Sequence, residues 1–165
     1  MPTNPSTWPT RERGAMVTRL EPEGLLAMKD HAARSYPDEC CGLVLASPEG
    51  ALEVVPIRNV QDEMHRVDPV AYPRTARTAY VGDAGELRQA LEKADGPGWR
   101  LVAFYHSHPD HEAYFSEEDV AQATPFGEPS YPEALQVVIP VQEGKPGAEA
   151  VFAWSEAEGS YLQLD

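Results

Sequence analysis

The stretch Leu101-Val102-Ala103-Phe104-Tyr105-His106-Ser107-His108-Pro109-Asp110 decides the fold and places the chemistry. Its first five residues are apolar or aromatic and carry no charge, a run suited to a strand covered on both faces. The pattern predicts a strand over Trp99 to Tyr105 that delivers His106 and His108 at its end. Residues two apart on an extended chain project to one face, so both imidazoles can reach a single ion. An ordinary pair of strand-end histidines, one of them buried and hydrogen-bonded, gives the same spacing without any function.

Downstream, Ser116-Glu117-Glu118-Asp119 also has a plain structural reading. Ser-x-x-Asp ahead of a helix is a capping box, with Ser at the N-cap and Asp three residues on. Such a cap aims both side chains at the helix N-terminus, one loop away from the histidines. Asp119 can then supply a third ligand. Two imidazoles and a carboxylate, with a fourth position left for water, form the catalytic zinc pattern. Fe(II) accepts the same donor set.

Composition narrows the function classes. The 165 residues suffice for one domain with a proper core. Lys and Arg number 13 against 27 Asp and Glu, a net charge of −14. Such a surface repels phosphate backbones and anionic lipid, so neither nucleic acid nor membrane is expected as a partner. It suits solvation or a basic partner. The two cysteines, Cys40 and Cys41, are adjacent and build no disulfide framework, consistent with a reducing cytoplasm. No apolar run is long enough to span a bilayer, and the start of the chain lacks the apolar segment of a secretory signal.

Along the chain, Met1 to Gly14 carries three prolines and no periodicity, and reads as a disordered arm over residues 1–15. A short strand is expected over Met16 to Leu20. A helix then starts near Pro22, with Leu25, Leu26, Met28, Ala32 and Ala33 as its apolar face, and stops before Pro37. Leu43 to Ala46 and Ala51 to Ile57 form a hairpin around Pro48-Glu49-Gly50. The polar passage from Arg58 to Gly82 is expected to be loop with one or two short strands. Asp83 caps a helix to about Ala94. After the capped helix at Ser116, strands follow over Ala134 to Val141, Ala148 to Trp154 and Ser160 to Leu164. This order gives one mixed sheet with flanking helices, an α+β domain over residues 16–165.

The string His106-x-His108-x7-Ser116-x-x-Asp119 resembles the JAMM motif of the JAB1/MPN metalloprotease family. Tyr36-Pro37-Asp38-Glu39-Cys40-Cys41-Gly42-Leu43-Val44-Leu45 is similar to that family's upstream glutamate stretch. The resemblance implies a JAB1/MPN fold, a mostly antiparallel sheet with cytidine-deaminase-like architecture. It implies that His106, His108 and Asp119 hold zinc, that Glu39 is the general base, and that Ser116 donates to the oxyanion. No catalytic position is missing, which places the chain with the active branch. The compact form resembles the bacterial stand-alone type, whose implied reaction is cleavage at the Gly-Gly end of a ubiquitin-like sulfur-carrier adduct. A monomer or homodimer is expected.

A non-catalytic scaffold, a cell-wall or phage-tail peptidase and a small-molecule amidase are the alternative readings. The Val70 to Val81 segment reads as an insertion beside the substrate groove. Asp38 is the alternative base. His31, His65 and His111 read as structural or solvated, Cys40 and Cys41 as core and loop, Phe104 and Tyr105 as strand core. Ser107, between the histidines, is placed to make a supporting hydrogen bond.

Overall fold

The computed structural model describes Leu20 and residues 22–165. The arm expected at the N-terminus, and all but the last residue of the strand expected over Met16 to Leu20, lie outside the described residues.

Helix α1 covers Glu23–Ser35. Strands β1 (Cys41–Ala46) and β2 (Leu52–Ile57) form the expected antiparallel hairpin. Helices α2 (Gln61–Val67) and α3 (Ala84–Ala94) follow, then β3 (Arg100–Pro109) and the short helix α4 (Glu117–Ala123). The chain ends with β4 (Leu135–Gln142), β5 (Lys145–Pro146), β6 (Ala150–Ser155) and β7 (Ser160–Gln163). The sheet runs β2-β1-β3-β4-β6-β7, with β5 paired to β4. Every pairing is antiparallel except β3 with β4. Parallel neighbours need a crossover, and the chain from β3 to β4 supplies it, carrying α4.

The two sheet faces explain the continuous apolar strands. Every residue of β1 is buried. Val44 and Ala46 pack with Leu25, Met28 and Ala32 of α1, whereas Cys41, Leu43 and Leu45 pack with Ala90 and Ala94 of α3. Each fully buried aliphatic side chain contributes about 1.5–3 kcal/mol of transfer free energy. Leu26, expected on the apolar face of α1, is instead exposed. Leu25 and Leu26 lie about 100° apart on the helix, and the line through Leu25, Met28 and Ala32 takes the sheet side.

The passage from Arg58 to Gly82 corrects a second expectation. It holds the helix α2, and its only β structure among the described residues is an isolated bridge between Asn59 and Gly82. Strand β3 also extends past the expected end at Tyr105, so both histidines sit within its pairing with β4.

Gly42 has a steric reason. It faces Tyr105 across the β1–β3 pairing. The Tyr105 ring crosses it so closely that an added Cβ would overlap the phenol. Beyond the glycine, Tyr105 Oη and His31 Nδ1 of α1 are 2.7 Å apart. Burial lowers the pKa of His31, which favours a neutral ring accepting the phenol O–H. Gly42→Ala is expected to destabilise the protein by about 1–3 kcal/mol, as overpacked sites do. An unchanged denaturation midpoint would show that the ring can move aside freely.

Candidate active site

On β3, alternation puts Phe104, His106 and His108 on the face shared with α3, and Tyr105 and Ser107 on the face shared with α1. His106 and His108 are both buried, with Nε2 atoms 3.1 Å apart. The crossover returns Asp119 to them: its Oδ2 lies 3.1 Å from His106 Nε2 and 3.4 Å from His108 Nε2. Phe115 helps to pin this return by stacking on Phe152 at 5.4 Å.

The capping box is present in full. Ser116 Oγ accepts from the Asp119 N–H at 3.0 Å, and Asp119 Oδ2 accepts from the Ser116 N–H at 2.9 Å. The helix start therefore fixes Asp119 and Ser116 together. Oγ serves the cap as acceptor only, so its O–H is not used by the cap.

Glu39, ahead of β1, is buried in the same cleft. It offers an oxygen that lies within 4.8 Å of ligand atoms of both histidines. Its backbone is held at both ends. The Glu39 N–H donates to Ala76 O at 2.7 Å, and Glu39 O accepts from Asn59 Nδ2 at 2.9 Å. Next to it, Cys40 N–H donates to Ser107 Oγ at 2.8 Å, while Ser107 N–H donates to Cys40 O at 3.1 Å. Ser107 thus ties the Glu39 segment to the strand position between the two histidines, and its expected supporting role is a backbone clamp.

The electrostatics follow from burial and from convergence. Burial pushes the Glu39 carboxyl up to about 8, against the pull of His108. Burial also opposes ionisation of Asp119, but hydrogen bonds from His106 and His108 outweigh it and hold that carboxyl well below the usual range. Burial lowers His106. For His108 burial acts in the same direction, yet Asp119 and the Glu112 carbonyl prevail and raise it. His108 Nδ1 lies 2.8 Å from Glu112 O. A carbonyl only accepts, so Nδ1 carries a proton, and loss of the second proton from Nε2 would leave a neutral His108 with its Nε2 lone pair turned into the cleft.

The three atoms therefore form a triangle with sides of 3.1, 3.1 and 3.4 Å. A tetrahedral ion with bonds of about 2.0–2.1 Å spaces its ligand atoms about 3.3 Å apart. Acceptor atoms held this close, out of water, are the donor set that a divalent cation satisfies. Glu39, with an oxygen within 4.8 Å of ligand atoms of both histidines, stands within reach of the same point.

Several contributors carried no sequence signal of their own. Asn59 makes four hydrogen bonds: Nδ2 to Glu39 O and Ala79 O, and Oδ1 from the N–H groups of Gln61 and Val81. The clue was slight, an Asn just after a strand, able to bond its own backbone two residues on. Tyr80 stacks on His106 at 4.7 Å, and Tyr114 meets His108 edge-on at 5.0 Å. Tyr80 and Tyr114, with Glu39 and His108, line a cleft of about 750 Å³, bounded by residues 74–80 and by Tyr114 to Gln122. Arg74, Thr78, Ala79 and Tyr80 of the Val70 to Val81 segment line this cleft, and through Ala76 and Asn59 the segment also braces Glu39.

His111 is exposed in the crossover, and His65 is half-buried against Tyr72 O at 2.7 Å. Cys40 and Cys41 are both buried, and burial pushes the Cys40 thiol up to about 11 and the Cys41 thiol to about 12, so both stay protonated. Phe104 is half-buried and packs against Tyr131. Among the described residues no helix is long and apolar enough to cross a membrane.

A mixed, mostly antiparallel sheet with a histidine pair on its parallel strand and a capped carboxylate returning from the crossover defines a JAB-type domain. The chain belongs to the family described as prokaryotic homologs of the JAB domain, which matches residues 22–155. It is 41% identical over 101 residues to the CysO-cysteine peptidase of Mycobacterium tuberculosis, covering 59% of this chain and 60% of that protein. It is 33% identical over 103 residues to the probable TtuB-protein conjugate cleaving protease of Thermus thermophilus, covering 62% of this chain and 61% of that protein. The matches thus span about three fifths of the length of these curated relatives. A solution structure of a Desulfitobacterium hafniense protein shares the fold, with a TM-score of 0.60, 22% identity and 86% of each chain covered.

Proposed function

We propose that the protein is a zinc-dependent hydrolase that cleaves a peptide or isopeptide bond at the Gly-Gly end of a ubiquitin-like sulfur-carrier adduct. The observation that carries this reading is the triangle of His106 Nε2, His108 Nε2 and Asp119 Oδ2, with buried Glu39 beside it in one cleft. The relatives named for cleaving CysO-cysteine and TtuB conjugates support the substrate class.

His106, His108 and Asp119 would hold the ion. When bound, zinc lowers the pKa of water to about 7 and polarises the scissile carbonyl. Glu39 takes one proton from the attacking water, whose oxygen bonds to the carbonyl carbon. The carbon–nitrogen bond then breaks, and Glu39 returns the proton to the departing nitrogen, leaving a carboxylate and an amine. Burial works against ionisation of Glu39, so its carboxylate would take up a proton more readily than an exposed one, as a general base requires. The Ser116 O–H donates to the oxyanion, a contribution of about 3–4 kcal/mol in comparable sites. Glu112 O fixes the tautomer of His108. An extended diglycine would enter the cleft lined by Arg74 to Tyr80 and by Tyr114 to Gln122.

The deciding experiment is incubation of the zinc-loaded protein with carrier adducts ending in Gly-Gly-X, read by mass spectrometry. Cleavage after the diglycine is expected. An inert result across such adducts would redirect the assignment to a cell-wall peptide, a small amide or a scaffold role.

A further inference from the structure

The active-site cleft is acidic with one exception. Glu39, Glu117, Glu118 and Asp119 line it, and among the described residues Arg74 is the only Lys or Arg that does. With a chain charge of −14, an anionic group entering the cleft finds attraction at Arg74 and at the ion that His106, His108 and Asp119 would hold.

Arg74 is also anchored from below. Its carbonyl accepts from Gln61 Nε2 at 2.9 Å, and Gln61 is buried, with its own N–H on Asn59 Oδ1 at 3.0 Å. Asn59 is the residue that holds Glu39 O. One hydrogen-bonded hub therefore sets the backbone of both Glu39 and Arg74. The guanidinium pairs with Glu118 on the opposite wall, and its Nη1 makes a long contact to Thr78 O at 3.4 Å. Its fork of five N–H donors matches a carboxylate, and these two contacts do not use them all. Glu118 is 58% exposed, so replacing it as a partner costs little.

We propose that Arg74 reads the leaving side of the substrate by holding the α-carboxylate of a single amino acid released from the diglycine end. This rests on the proposed function. A Gly-Gly tail brings no anion of its own to the scissile bond. The nearest fixed negative charge is the carboxylate of the leaving residue, whose carbon is two bonds from the scissile nitrogen. An isopeptide to a protein lysine places no carboxylate there, so the cleft favours one-residue C-terminal adducts over protein conjugates.

The test uses a sulfur-carrier protein extended beyond Gly-Gly by one alanine, prepared with a free carboxylate and as the carboxamide. Both are assayed with zinc-loaded wild type, Arg74→Gln and Arg74→Lys. Wild type is expected to favour the free carboxylate by about 10- to 100-fold in kcat/KM, mostly through KM, as a charge-assisted pair provides. Arg74→Gln should lose that preference, its kcat/KM on the free carboxylate falling to near that on the carboxamide, and Arg74→Lys should recover part of it. Equal wild-type rates on the two substrates, or a variant slowed equally on both, would overturn the assignment and leave the hydrolase reading standing. If wild type cleaves neither, the sulfur-carrier reading falls and this one falls with it.

Discussion

Glu39→Gln is expected to lower turnover of a Gly-Gly adduct by about 10²- to 10⁴-fold, the range that a positioned general base supplies, while zinc content stays at about one ion per chain. The amide keeps the shape of the side chain but cannot hold the transferred proton. The backbone contacts to Ala76 and Asn59 do not involve the carboxylate, so the segment stays in place. Burial already works against ionisation of Glu39, so a neutral residue there should leave the melting temperature no lower than in wild type. Zinc analysis and melting are measured beside the rate. Full activity in this variant would remove Glu39 from the chemistry, and loss of zinc would instead make it a ligand.

The second large effect concerns the ion. Ligand held at about a thousand times its dissociation constant stabilises the folded state by about 4 kcal/mol. For a domain of this size each kcal/mol moves the melting temperature by about 2–4 °C. Chelation should therefore lower it by about 8–16 °C, and added zinc should restore it. Asp119→Asn should lose this response. Its amide oxygen can still accept the Ser116 N–H that Asp119 Oδ2 now accepts, so the cap survives while the carboxylate is gone. A melt indifferent to chelator would sink the metal assignment, whatever the protein cleaves.

Much of the site was legible because its parts also serve the backbone. His106 and His108 extend an apolar strand, so alternation alone put them on one face. Ser116 and Asp119 announced a helix start, and the cap that the spacing predicts is the device that aims Asp119. Glu39 was different. Nothing local distinguishes it from a surface acid, and only the similarity of the Tyr36 to Leu45 stretch to a known motif singled it out.

What stayed hidden depends on distant partners. The α2 sequence Gln61-Asp62-Glu63-Met64-His65-Arg66-Val67 has no apolar stripe, Val67 is exposed, and the buried residue of the helix is Gln61. Its environment is set by Asn59, by the Arg74 carbonyl and by Asp62 Oδ1 accepting the Ala76 N–H at 2.8 Å. Tertiary hydrogen bonds replace the hydrophobic periodicity that a sequence reading looks for. Arg74 was passed over for the same reason: a lone arginine in a polar passage gains meaning only when the opposite wall of the cleft proves acidic.

The crossover between β3 and β4 has unequal halves, and this bears on how the chain can tolerate change in length. From Pro109 to Ser116 the path is fixed by Asp110 N–H on Val141 O, by the Glu143 N–H on Asp110 Oδ1 and by Glu112 O beneath His108. One residue added there would carry Asp119 out of the triangle. From Thr124 to Glu133 the chain is a turn-rich loop with Phe126 almost fully exposed. Insertions should accumulate in that second half, so natural or engineered variants can change in length there without disturbing the triangle of His106, His108 and Asp119.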